Sequence, residues 1–258
     1  MLMAKPEHKA SGDPLPTRDP VAQRILLVLE ACAAEKGPLT MTELVEATGL
    51  AKTTVHRMCW KLVDLGLLEH ASDGFAIGTK LFALAAANPV INEIRVAAMP
   101  YLLELQPLTG AADLAILVGG KALIVDTLFT RELGGSGMVG AGLPLHCTAV
   151  GKALAAGVDH ERREELLGPG LLPSATTQSI VHPVLIRRHL ERVAQEGVAF
   201  SHEEFEVGRA GVAATFTSRD GTIGAIGCVG AWNNLGIRRS SARVAVAAAG
   251  LQRALAAH

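Results

Sequence analysis

Residues 39–78 read LTMTELVEATGLAKTTVHRMCWKLVDLGLLEHASDGFAIG. Thr40, followed three positions later by Glu43, is the capping-box pattern that opens a helix, and the short helix behind it turns Leu44 and Val45 inward. Gly49 ends that helix and permits a tight turn. The next helix is expected over residues 52–65, with Val55, Met58, Cys59 and Leu62 on its inward stripe. Its other side carries Lys52, Thr53, Thr54, His56, Arg57 and Lys61, and no acid occurs between Ala51 and Val63. Gly66 stops it. LLEH then reads as a strand and SDG as a turn into a second strand, FAIG, with Asp73-Gly74 as the tight-turn pair. Two short helices, a basic amphipathic helix and a hairpin make the layout of a winged helix-turn-helix, which puts one helix into the DNA major groove.

Upstream, residues 21–35 (VAQRILLVLEACAAE) place Val21, Ile25, Val28, Leu29 and Cys32 at helical spacing. Asp19 is a candidate cap and Pro20 suits the first helical position. Residues 1–19 hold Pro6, Pro14 and Pro16 and no apolar core of signal-peptide length, so they are expected to form a disordered tail.

The whole chain has 258 residues, enough for two domains each with a core. Its net charge of −1 argues against a protein that coats nucleic acid non-specifically, but leaves room for a local basic surface. The four cysteines, Cys32, Cys59, Cys147 and Cys228, are scattered without a CxxC pair, which fits neither a zinc knot nor a secreted disulfide scaffold. No run of about 18 apolar residues occurs, so no membrane span is expected. A reducing cytoplasm is the expected setting.

Downstream, residues 79–87 are expected to form a helical linker and residues 90–105 a helix opening the second domain, with Pro100 inside it as a candidate kink. The period then changes from helical to alternating. AADLAILVGGKALIVDTLF reads as two strands joined at Gly119-Gly120. A glycine-rich loop follows, then a short helix over residues 148–156 and a charged, solvated helix in DHERREELLGP. Another amphipathic helix is expected to be capped near Ser179 and ended by Gly197. Several strands, broken at Gly208, Gly211 and Asp220-Gly221, and a final helix complete an α+β domain.

Three groups in this half invite chemistry. His146 and Cys147, with Thr148 and Lys152, are a conceivable nucleophilic set. Adjacent strand residues point to opposite faces, however, and no third residue is evident to orient the histidine. The loop GGSGMVGAG lacks both the P-loop ending and a dinucleotide fingerprint. Glu203, Glu204 and Glu206 suit either a cation or, more ordinarily, an acidic solvated turn. No converging His, Cys and Asp set supports a metal, no cofactor is expected, and the chain is not expected to be an enzyme. A domain without a catalytic set behind a DNA reader suggests a sensor of a small ligand.

Four blocks together, GLAKTTVHRMCWKLVDLGLLE, DGFAIGTKLFALA, LPLHCTAVGKALAA and EGVAFSHEEFEVGRAGVAA, resemble the IclR-type bacterial transcription regulators. The resemblance spans residues 20–255. It implies a winged helix-turn-helix domain over residues 20–78, a linker helix over 79–89 and a GAF-like effector-binding domain over 90–258. It also implies a homodimer, often a dimer of dimers, acting on double-stranded operator DNA under control of a small-molecule effector. Carried over residue by residue, it assigns DNA contacts to the region of Thr53, Thr54, His56 and Arg57, with Lys52 and Lys61 beside them, and to a wing over residues 72–75 that begins at Ser72. It assigns the effector pocket to Ser136, Gly137, Met138, Val139, Gly140, Ala141 and Leu143 of the glycine-rich loop, and to Ser201, Gly211, Cys228 and Gly230. Relatives that bind small carboxylates tend to carry Asp, Cys and Ser at such positions. Glycines here imply a roomier, less polar pocket and an effector larger than a two- or three-carbon acid, such as an aromatic one. The alternative is a winged-helix interaction or scaffold protein without specific DNA binding.

Overall fold

The computed structural model describes residues 20–34, 37–130, 138–234 and 236–257. The expected tail, the Asp19 cap and the loop positions Ser136 and Gly137 lie outside them. The chain divides into two compact units, one running to Asn92 and one from Glu93 onward.

The first unit begins with α1 (Pro20–Ala34), α2 (Met41–Thr48) and α3 (Lys52–Asp64). The capping box forms as read. Glu43 N–H donates to Thr40 Oγ1 at 3.3 Å, and Thr40 N–H donates to Glu43 Oε2 at 2.8 Å. Such a cap is worth about 1 kcal/mol. Gly49 closes α2 at φ 65°, its N–H on Val45 O. Val55, Met58, Cys59 and Leu62 are buried and meet Val28, Cys32 and Leu44 in one core. Val21, by contrast, lies on the exposed side of α1.

The wing is β1 (Leu68–Ala71) paired antiparallel with β2 (Gly74–Ile77). Ala71 pairs with Gly74, so the two loop residues are Ser72 and Asp73 rather than Asp73 and Gly74. Gly74 has a different task. Leu39 exchanges two backbone hydrogen bonds with Phe75, each 2.8 Å. A Cβ on Gly74 would lie 2.2 Å from Leu39 O, and its φ is 150°. The turn between α1 and α2 thus forms a third strand-like edge of the wing, and only glycine admits that approach. The short α4 (Thr79–Ala85) follows, with no buried residue.

The helix α5 (Pro89–Thr109) contains the boundary between the units and runs through Pro100 and Pro107. Each proline denies a helical donor to the carbonyl four residues back. Those carbonyls belong to Val96 and Leu103, 76% and 60% exposed, so water can take the donor's place. The second unit continues with β3 (Ala111–Val118), β4 (Lys121–Phe129), β5 (Gly142–Leu143), α6 (Ala149–Gly157), α7 (His160–Leu167), α8 (Pro183–Glu196), β6 (Ala199–His202), β7 (Arg209–Thr217), β8 (Ile223–Ala231) and α9 (Ile237–Ala257). The strands form one antiparallel sheet in the order β5-β4-β3-β8-β7-β6. Gly119 and Gly120, both at positive φ, make the two-residue turn between β3 and β4.

Helices cover both faces of the sheet. Ala115, Ile124, Ala213 and Ala225 pack with Leu154 of α6 and with Ile186 and Leu190 of α8. On the other face α9 lies against β7 and β8, and α5 lies beside it, Tyr101 filling the space above Gly250. Two readings of local structure are corrected. The cap of α8 is His182, whose Nδ1 accepts from Val184 N–H. Ser179 instead accepts from Ala175 and Thr176 N–H and donates to Glu204 O at 2.6 Å, a tertiary task. Gly211 does not break a strand but lies inside β7. No single helix among the described residues is long and apolar enough to cross a membrane.

Candidate functional site

The outer surface of α3 presents Lys52, Thr53, His56, Arg57 and Lys61 to solvent, with Thr54 half-buried. Ala51 precedes the helix and supplies no side-chain cap, so the first amides of α3 are left for a ligand or water. A helix start with free amides, a positive dipole end and adjacent Lys and Thr is suited to phosphate oxygens. Ser72 is exposed in the wing loop.

Trp60 belongs to this surface and was not singled out from the sequence. Its ring lies 4.9 Å from that of His70 and 5.7 Å from that of Phe75, tying α3 to the wing. Its Nε1–H donates to His56 Nε2 at 3.2 Å. That bond leaves Nδ1 to carry the proton of a neutral His56 and fixes the ring on the helix surface. The signal available was the one-turn spacing of His56 and Trp60.

In the second unit a cavity of about 50 Å³ lies between the first turn of α6 and the sheet. Thr148, Ala149 and Val150 form its helical wall. Asp113 of β3, Ser201 of β6, Gly211 of β7 and Val229 of β8 form the sheet wall, with Leu143, Phe205, Glu206 and Arg209 around them. Pairing explains this grouping. Ser201 stands opposite Gly211, and Gly211 opposite Val229, so all three share one face.

The same pairing places Cys228 and Gly230, expected in the pocket, on the opposite face of the sheet, away from this cavity. A Cβ on Gly230 would meet Thr109 O at 2.5 Å, under α9 and α5 rather than α6. Cys228 is buried there too, near Thr109 and Ser240. A one-residue error in strand register turns every side chain over. Of the expected pocket residues, Leu143, Ser201 and Gly211 line the cavity. Met138, Val139, Gly140 and Ala141 are described but do not, and Met138 and Val139 are exposed. The glycines do not create space either. A Cβ on Gly211 would lie 3.2 Å from both Ala149 Cβ and Val229 Cγ2, so the glycine lets α6 sit close to the sheet.

The cavity's charged residues come from positions the sequence reading missed or read as solvated. Asp113 is 2% exposed and accepts one hydrogen bond, from Thr127 Oγ1 at 2.7 Å. Burial raises its carboxyl pKa to about 6, and the Thr127 bond opposes the rise. Arg209 at the rim faces Glu206 at 3.4 Å. The acidic run around it serves separate partners. Glu203 accepts from Gly208 N–H, and Glu204 pairs with fully buried Lys152. Glu204 is therefore no solvated residue. Its Oε2 is buried without a hydrogen-bond partner. Lys152 also donates to Phe200 O at 3.0 Å, and desolvation lowers its pKa although Glu204 opposes this.

The His-Cys pair does not form a nucleophilic couple. His146 Nε2 lies 2.8 Å from Pro173 O. Burial, with Glu204 adding to it, pushes the Cys147 thiol to about 11, which leaves it protonated at neutral pH. Among the described residues, no three His, Cys, Asp or Glu side chains gather as a metal site.

Comparison with known proteins agrees with both halves. The IclR helix-turn-helix domain matches residues 21–72, and the C-terminal domain of the bacterial transcriptional regulator IclR matches residues 90–252. The HTH-type transcriptional regulator Rv1719 of Mycobacterium tuberculosis is 33% identical over 190 residues, 71% of each protein. The transcriptional repressor IclR of Escherichia coli is 27% identical over 191 residues, 72% of this chain and 70% of that one. An IclR homolog from Microbacterium hydrocarbonoxydans, solved in complex with 4-hydroxybenzoate, superposes with a TM-score of 0.82 at 25% identity, covering 92% of this chain and all of that one.

Proposed function

Because the chain belongs to the IclR family of bacterial transcriptional regulators, we propose that α3 enters the major groove of operator DNA and that the cavity beside α6 holds the effector that modulates this binding. The protein is a DNA-binding transcriptional regulator and not an enzyme. The observation that carries the DNA assignment is the acid-free outer face of α3, uncapped at its start, with Lys52, Thr53, His56, Arg57 and Lys61 exposed on it. Ser72 in the wing loop is placed to meet the adjacent backbone.

The effector assignment rests on the cavity between α6 and the sheet, in a unit we read as GAF-like. The solved relative holds 4-hydroxybenzoate, and we propose an aromatic or similarly sized organic acid here. The case does not rest on glycines leaving room. A ring needs Leu143 and Phe205, which line the cavity, to move aside. Its carboxylate would face the first turn of α6, at the positive end of the helix dipole.

We also propose that the protein works as a homodimer, and as a dimer of dimers where two operators are bridged. One module gives limited contact with DNA, and two half-sites ask for two copies. In the DNA-reading unit Phe82 and Leu84 of α4 are 78% and 57% exposed, an apolar surface suited to a second copy.

Selection from randomised duplexes at fixed salt tests the reading. It predicts an enriched palindrome whose half-site spacing reports the two-fold. No enrichment with folded protein would favour an interaction module. On the selected duplex, Arg57→Ala is expected to weaken binding by about 1–3 kcal/mol with relaxed preference at one base pair. A uniform loss across sequences would make Arg57 a phosphate contact.

A further inference from the structure

The carboxylate in the cavity wall constrains what can bind there, beyond the size and acidity of the ligand. Asp113 sits on β3, two strands from Gly211 on β7 and three from Ser201 on β6 in the sheet order, and is 2% exposed in the cavity wall. Thr127, its cross-strand neighbour, donates to Oδ1. Among the described residues no second side chain donates to this carboxylate, and no cation pairs with it. A buried carboxylate with one neutral hydrogen bond is poorly satisfied, because it offers about four lone-pair sites. The acceptor capacity left over faces a cavity whose sheet wall otherwise holds Gly211 and Val229, which offer no side-chain donor, and Ser201, whose hydroxyl donates to Cys147 O at 2.8 Å, while Arg209 at the rim faces Glu206.

We propose that Asp113 is the specificity-determining residue of this pocket and that it selects effectors carrying a hydrogen-bond donor, a hydroxyl or amino group, at the end remote from their acid group. This rests on the reading of the cavity as the effector site, and adds to it the chemical class of ligand. A bare carboxylate or an ether oxygen facing Asp113 meets acceptor with acceptor and is repelled. A phenolic or amino donor completes the buried carboxylate with a charge-assisted bond. The first turn of α6 takes the anionic end and β3 takes the donor end, so ligand direction in the pocket is fixed. A site built to receive a donor rejects the analogue lacking it far more strongly than an apolar pocket rejects a change of one methylene.

The test is calorimetric titration of the full chain with four probes: 4-hydroxybenzoate, 4-aminobenzoate, benzoate and 4-methoxybenzoate. The expected result is that the hydroxy and amino compounds bind about 10–100-fold more tightly than the other two. Asp113→Asn is nearly isosteric, and it should shrink that preference by about tenfold, chiefly by weakening the donors. Asp113→Leu should leave benzoate favoured. The comparison among probes on the unaltered protein does not depend on either variant folding. Equal binding of all four, or no binding of the donor compounds, overturns the proposal. Hydrogen exchange with bound 4-hydroxybenzoate separates this from failure of the pocket reading. Protection of residues 111–116 and 209–213 keeps the cavity as the site. Protection only elsewhere in the chain removes both the reading and the proposal.

Discussion

Asp113 has one hydroxyl on a carboxylate that is almost fully buried, and its stability consequence follows from its pKa. The folded-state value is raised, to about 6, from an ordinary value of 3.8. Stability associated with the protonated group is fully present below the unfolded pKa and is lost as pH rises through about 6. At neutral pH the ionised carboxylate therefore weakens the unliganded fold. Asp113→Asn should stabilise the second unit by about 1–3 kcal/mol at pH 7.5 and much less at pH 4. Denaturant unfolding followed through Trp232, in a Trp60→Phe background, measures it. An equal change at both pH values would contradict the assignment. A residue that lowers stability while lining a cavity is the pattern of a site kept for binding. None of this could be read from the sequence. Asp113 stands in an apolar run whose local pattern says only strand, and its importance comes from where β8 and α6 bring other residues.

At the scale of elements, what was legible in the sequence was what neighbours along the chain decide. The Thr40–Glu43 box, the Gly49 stop, the stripe Val55, Met58, Cys59 and Leu62, and the Gly119-Gly120 turn all depend on residues within a turn or two, and all stand in the structure. The errors come where a distant partner decides. Gly74 answers to Leu39, and Ser179 answers to Glu204. Cys228 and Gly230 face away from the cavity because the β7–β8 hairpin, in which Thr217 pairs with Ile223, sets the face of every residue after it. The charge pair joining α6 to the segment after β6 belongs at this scale. Lys152 and Glu204 hold the stretch that carries Phe205 and Glu206 to the cavity rim. Lys152→Met alone should destabilise by about 3–5 kcal/mol, because it strands the buried Glu204. The double change Lys152→Met with Glu204→Leu should recover most of that loss. Equal destabilisation by the single and double variants, measured by denaturant unfolding, would show that the pair is not the source.

At the scale of the whole molecule, the proposed function gives the two units separate tasks: DNA reading by α3 in one and effector binding in the cavity beside α6 in the other. Regulation requires that ligand in the cavity have different affinity for two states of the protein that differ in DNA affinity. Local electrostatics account for each site separately, and the coupling between them is a property to be measured. The selected duplex makes that direct. Its affinity for the full chain is measured by fluorescence anisotropy with and without saturating 4-hydroxybenzoate, at one fixed salt concentration, for the unaltered protein and Asp113→Asn. The account predicts a change of about 5–150-fold in operator affinity for the unaltered protein. It predicts a much smaller change for Asp113→Asn, with the ligand-free affinity unaltered. Operator affinity that stays constant while the cavity is demonstrably occupied would contradict it.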